Sequence, residues 1–143
     1  MEIAPEAREK MARILERADQ TLMFSLGIEL LSISAEQVIG QMPVDKRTRQ
    51  PMGLLHGGAS IALAETLASI GAWISLPPEK QAVGIEINGN HLRAVRSGVV
   101  RGTASPLHRG RTSHVWEVRI CNEQDQLVCM SRCTLAIINA KER

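Results

Sequence analysis

Between Arg49 and Glu79 the chain carries a single formal charge, Glu65. The stretch around it, about Gly57 to Leu76, reads as one long apolar helix. His56-Gly57-Gly58 opens it and Pro77-Pro78 stops it. Most of its residues are small: Gly58, Ala59, Ser60, Ala62, Ala64, Ala68, Ser69, Gly71 and Ala72. Small residues on many faces imply neighbouring backbone close by all round, so the helix is expected to be enclosed. A carboxylate in such a helix is unfavourable unless it is paired, solvated or used. Any fold for this chain must wrap one helix and give Glu65 a role.

The flanking segments supply the wrapping. Gly27 to Ser34 and Glu36 to Val44 read as strands before the helix. Four more follow it: about Gln81 to Arg93, Gly98 to His108, Arg111 to Asn122 and Gln126 to Asn139. The third of these alternates, with Trp116, Val118 and Ile120 on one face and Glu117 and Arg119 on the other. Short turns at Arg96-Ser97-Gly98, Arg109-Gly110 and Asn122 to Asp125 predict hairpins and antiparallel pairing. Residues 1–26 form a helical arm from about Pro5 to Leu26. Its second short helix, Leu22 to Ser25, has Asp19, Gln20 and Thr21 as candidate caps and is ended by Gly27. The expected class is α+β: a single domain over residues 1–143, with an antiparallel sheet curled around one helix. One such domain leaves a sheet face and sheet edges uncovered, so a homo-oligomer is expected.

Composition excludes several function classes. The 143 residues are 44% hydrophobic and 22% charged, which is globular rather than disordered. Phe24, Trp73 and Trp116 are the only aromatics, which weakens base stacking on nucleic acid. The mixed-charge N-terminus does not read as a signal peptide, and Glu65 and the small residues argue against a membrane span. Cys121, Cys129 and Cys133 are odd in number and form no C-x-x-C, which fits a cytoplasmic protein without disulfides or a zinc knuckle. Cys129 and Cys133, four apart in an expected strand, read as small buried hydrophobes. The four histidines lack metal-ligand spacing, and neither a metal nor a cofactor is expected.

Two features carry chemistry. His56-Gly57-Gly58 sets backbone N–H groups at a helix N-terminus, ready for a polarised carbonyl or oxyanion. The same triplet also suits a plain tight turn. Glu65, two turns further in, suits nucleophilic or general-base attack on a carbonyl, or equally a structural ion pair with an arginine. The second feature is charge. From Ile87 to Trp116 there are five arginines and no acid, +5 in a chain of net +2, with His91, His108 and His114 among them. That stretch reads as an anion site or as solvated strand faces.

Gln50-Pro51-Met52-Gly53-Leu54-Leu55-His56-Gly57-Gly58-Ala59-Ser60, followed by Leu63-Ala64-Glu65, resembles the hot-dog-fold acyl-coenzyme A thioesterases. The resemblance is to the branch with 4-hydroxybenzoyl-CoA thioesterase and the 1,4-dihydroxy-2-naphthoyl-CoA thioesterases of menaquinone synthesis. Val83 to Arg93, Pro106 to Arg111 and Val115-Trp116 also resemble that branch. It implies that Glu65 attacks the thioester or activates water, that Gln50 and His56 orient the carbonyl, and that the Gly57 N–H polarises it. Ser69 matches a hydroxyl that holds the attacking water. His91, Arg93, Thr112 and Ser113, with Arg109 and Arg111, match contacts to the phosphates of coenzyme A. The resemblance further implies a site shared between subunits of a dimer of dimers, with no nucleic-acid or membrane partner. Met52 and Gly89 depart from it, standing where Phe and Ala are common, and Met52 bears on the shape of the acyl pocket.

Two other functions fit this fold. A hot-dog dehydratase or hydratase is disfavoured because Gly57-Gly58, rather than Phe-Pro, follows His56. A non-catalytic acyl-CoA-binding protein is disfavoured by the presence of Glu65.

Overall fold

The computed structural model describes residues 1–140. Strand β1 (Glu2–Ile3) leads into a turn of 3-10 helix, then α1 (Arg8–Leu15) and, after a second such turn, α2 (Leu22–Leu26). Strands β2 (Glu29–Ile33) and β3 (Val38–Pro43) precede the long helix α3 (Gly57–Ile74). Strands β4 (Lys80–His91), β5 (Val99–Arg109), β6 (Ser113–Cys121) and β7 (Leu127–Asn139) complete the chain. The expected elements are present within a few residues of their expected bounds. The arm's expected second short helix is present as α2, because Thr21 leaves the helical conformation to accept the N–H of Phe24 as its cap. Gly27 ends α2 in the left-handed region at φ 69°, where a side chain would be strained.

The seven strands form one sheet in the order β1-β2-β3-β5-β6-β7-β4. All neighbours are antiparallel except β1, which lies parallel to β2 and is an addition to the expected strands. The expected hairpin between the first two strands after the helix is not formed. β4 pairs with β7 at the far edge, and β5 pairs with β3 and β6. The chain therefore crosses between β4 and β5 through Leu92 to Gly98. The length of that connection, not its turn-like residues, frees the two strands to part.

Helix α3 sits on the sheet because glycines let it come close. Gly40 on β3 and Gly102 on β5 are register partners, and both face Leu67. A Cβ at Gly40 or Gly102 would stand 2.8 or 2.6 Å from a Leu67 methyl carbon. Further along, the Trp116 ring lies under Gly71, where a Cβ would stand 2.5 Å from ring carbons. Leu63, Leu67, Ala68, Trp116, Val118 and Ile120 have no exposed surface, so the core is aliphatic around one indole. By length and apolarity α3 could cross a membrane, but more than half of it is buried against this sheet.

The helix is not enclosed on every face by its own chain. Gly58, Glu65, Ser69 and Trp73 keep exposed surface and recur at helical spacing, with Ala62 between them. The small residues do mark close contacts, but the chain's own sheet covers only the opposite side. Strand β4 runs beside this open stripe and pairs only with β7, so its other edge is unpaired among the described residues.

Candidate active site

The loop from Val44 to His56 is fastened before the helix begins. Buried Thr48 donates its hydroxyl to the Pro43 carbonyl (2.6 Å) and accepts the Asp45 N–H (3.1 Å). The His56 N–H donates to the Thr48 carbonyl (2.8 Å), and the Leu55 N–H to the Val95 carbonyl (2.8 Å). Between them Gln50 to Gly53 forms a turn, closed by the Gly53 N–H on the Gln50 carbonyl (2.9 Å), with Gly53 at φ 77°. The Gln50 side-chain oxygen accepts the Met52 N–H, which leaves its amide NH2 as the group able to donate outward. Met52 itself is largely exposed at the tip.

His56 is the N-cap of α3. Its Nδ1 accepts the Gly58 N–H at 2.8 Å, so the neutral ring carries its proton on Nε2. Capping by His56 leaves the Gly57 N–H with no acceptor among the described residues. Gly57 lies directly against His91 at the end of β4, where a Cβ would stand 2.8 Å from the His91 Nε2. Gln50, Gly57, His91 and Arg93 line one open cleft of about 380 Å³, with Leu54, Leu55 and Ser60 among its walls. The cleft therefore brings together the free Gly57 N–H and the Gln50 amide, while His56, the residue before Gly57, caps the helix without lining this cleft.

Glu65 is not in that cleft. It lies eight residues further along α3, about 12 Å at 1.5 Å per residue. Its carboxylate is exposed and lies beside β4, with Oε1 3.0 Å from where a Cβ at Gly84 would stand. The alternative of a structural ion pair is not realised, since among the described residues Glu65 has no salt bridge. Ser69 follows one turn later on the same stripe and is partly exposed.

The basic stretch is divided by the sheet register. His91 is paired with Cys129 near one end of β7, whereas Ser113 is paired with Ala136 near the other. At about 3.3 Å per residue these ends are on the order of 20 Å apart. Arg111 and Thr112 form the exposed β5–β6 turn beside Ser113. Arg109 pairs with Glu36 (2.7 Å) and donates to the Ala35 carbonyl (3.1 Å), holding the β2–β3 turn. His114 is buried on the core side of β6 and takes no part in a surface anion site. Its burial, with Arg109 and His108 nearby, pushes its pKa below the ordinary value.

Gly84 and Trp73 were not singled out from sequence. Trp73 sits at i+8 from Glu65 on the stripe through Ser69, and that spacing was the available signal. Cys129 and Cys133 are buried as expected. Burial, with Glu65 and Glu86 adding repulsion, lifts the Cys133 thiol to about 11, so it is not a nucleophile.

A sheet curled around one long helix, with a free N–H at the helix start and an acid on its open stripe, is the hot-dog architecture of thioesterases. The chain belongs to the thioesterase superfamily, whose sequence pattern matches residues 52–129, and is a thioesterase. It is 43% identical over 116 residues to the 1,4-dihydroxy-2-naphthoyl-CoA hydrolase of Listeria monocytogenes, covering 81% of this chain and 94% of that one. It is 48% identical over 118 residues to the proofreading thioesterase EntH of Cronobacter turicensis, covering 82% and 86%. A thioesterase crystal structure from Haemophilus influenzae superposes with a TM-score of 0.83 at 44% identity, covering 90% of this chain and 93% of that one.

Proposed function

We propose that the chain hydrolyses an acyl-coenzyme A thioester to the free acid and coenzyme A, with an aromatic acyl group such as hydroxybenzoyl or dihydroxynaphthoyl preferred. Relatives named 1,4-dihydroxy-2-naphthoyl-CoA hydrolase favour the aromatic preference. The thioester oxygen accepts from the Gly57 N–H, the Gln50 amide and the His56 Nε2–H. These donors are directed at the charge that builds up on oxygen as the carbonyl is attacked. Glu65 attacks the carbonyl carbon itself, or takes a proton from a water held by the Ser69 hydroxyl. A C–O bond forms and the C–S bond breaks. The sulfur leaves as thiolate and takes up a proton, and in the nucleophilic route water then opens the anhydride.

The observation that carries this reading is the separation of Glu65 from Gly57 along one helix while both border β4. Gly57 lies level with His91, Ile61 with Gly89, and Glu65 with Gly84. Antiparallel pairing of two β4 edges about a two-fold near Ile87 and Asn88 exchanges those levels. Glu65 of each copy then faces the Gly57 cleft of the other, and the unpaired edge is satisfied. The open stripe of α3 becomes the wall of a shared site. His91 and Arg93 bind coenzyme A phosphates at the cleft mouth. The Arg111, Thr112 and Ser113 turn, with Arg109 behind it, reaches the phosphates from a further copy in a dimer of dimers. Met52 borders the acyl group. Free cysteines fit a reducing, cytoplasmic setting.

A mixing experiment tests the shared site. Glu65→Ala and Gln50→Ala homo-oligomers should both be nearly inactive in a thiol-release assay on benzoyl-CoA. Co-refolded in equal amounts, they should recover about a quarter of wild-type activity, because each hybrid pair has one intact site. No recovery above the separate variants contradicts a site built across two chains.

A further inference from the structure

We propose that Trp73 is the end-stop of the acyl site and sets the length of acyl group accepted, and that Lys10 of the N-terminal arm holds its ring in place. This rests on the shared thioesterase site above and deepens it.

The seam of contacts between α3 and β4 can be followed residue by residue. It starts where Gly57 meets His91, passes Ile61 against Gly89, and reaches Glu65 against Gly84. Two turns further along the same stripe stands Trp73, in a separate pocket of about 540 Å³ that it shares with Lys10 and Ile14 of the arm and with Lys80 and Gln81 at the start of β4. The stripe side chains before and after Glu65 are small: Gly58, Ala62 and Ser69. Trp73 is the large one among them, two turns or about 12 Å beyond Glu65. A thioester carbon attacked at Glu65 therefore directs its acyl group over Ser69 and onto the indole. That span takes a fused two-ring aryl group or a medium alkyl chain, whereas a long alkyl chain collides with the ring.

The ring is held from the arm. Lys10 of α1 places its ammonium 5.7 Å from the Trp73 ring centroid and donates to the carbonyls of Trp73 (3.0 Å), Ile74 (3.4 Å) and Leu76. A cation at these carbonyls satisfies the negative end of α3 and fixes the last turn that carries Trp73. Met11 and Ala7, fully buried, fasten α1 to the rest of the core. Lys10 is thus a positioning residue: it acts through Trp73 and not on substrate.

The test is kcat/KM for hexanoyl-, decanoyl-, palmitoyl- and naphthoyl-CoA, measured by thiol release. Trp73→Ala should raise the ratio of palmitoyl to hexanoyl turnover by roughly tenfold or more, since the obstruction is removed. Trp73→Leu, a milder change that keeps an apolar side chain, should move the ratio in the same direction by less. Lys10→Met should shift the ratio as well and lower Tm, and Lys10→Arg should restore the profile. If wild type releases thiol but Trp73→Ala and Trp73→Leu, both folded by circular dichroism, keep the wild-type profile, the end-stop is refuted and the thioesterase site stands. If wild type hydrolyses none of the four esters, the acyl-CoA reading itself fails and takes the end-stop with it.

Discussion

The Glu65 carboxylate lies against the backbone of Gly84, with Oε1 3.0 Å from the position a Cβ would take. The edge strand passes the acid without a side chain between them, beside a bulge at Gly84 to Glu86 that turns Ile85 outward. A β-branched residue at Gly84 displaces the acid but leaves the ladder to β7 intact. Gly84→Val should lower kcat by roughly tenfold to a hundredfold through misplacement of the attacking group, with Tm changed by only a few degrees. An unchanged kcat in a folded Gly84→Val protein contradicts a role for this contact.

Glu65→Gln keeps the shape and removes the charge. Turnover should fall by on the order of a thousandfold or more, as for loss of an essential group. Stability should hardly move, because the acid has no ion pair within its chain among the described residues. Parallel thiol-release kinetics and thermal melts check both halves.

Gly71 is a structural position without a catalytic part. A Cβ there would stand 2.5 Å from the fully buried Trp116 ring, which is rigid and enclosed. Gly71→Ala should destabilise the fold by about 1–3 kcal/mol through overpacking, outweighing the gain in helix propensity. Urea unfolding measures this directly, and a stabilised variant contradicts it.

Acid should weaken the fold in two stages. His114 is held below its ordinary 6.5 by burial, and by Arg109 and His108 beside it. The unfolded chain then binds a proton that the folded chain resists. Stability is unaffected well above pH 6.5 and falls as pH drops below it. Asp45 is held down to about 2 by Arg47. Its contribution is present above pH 3.8 and is lost as pH falls from there towards 2. It is small, since the pair is exposed. His114→Leu should flatten the fall in Tm between pH 6.5 and 5 while leaving the later stage. An unaltered slope in that variant contradicts the assignment.

Most of the elements were legible from local pattern. Trp116, Val118 and Ile120 alternate because one face of β6 is buried, and Pro77-Pro78 stops α3 because proline cannot continue a helix. Glu65, alone in an apolar stretch, pointed to a site before any geometry was known. The pairing order was not legible. Residues near Arg96 to Gly98 have turn chemistry, yet β4 leaves β5 and crosses to β7, because the burial shared between distant strands outweighs a local turn signal.

The sequence by itself determined the helix, its lone acid, the glycines at its start and the alternation of the strands that wrap it. Those follow from periodicity, charge and backbone freedom within a few residues. Only the tertiary structure decided which face of α3 stays open, that Glu65 and Gly57 border the same unpaired edge about 12 Å apart, and that Lys10 of the arm reaches the end of the helix beside Trp73. These depend on contacts between residues far apart in the chain, which close packing fixes and local pattern does not carry.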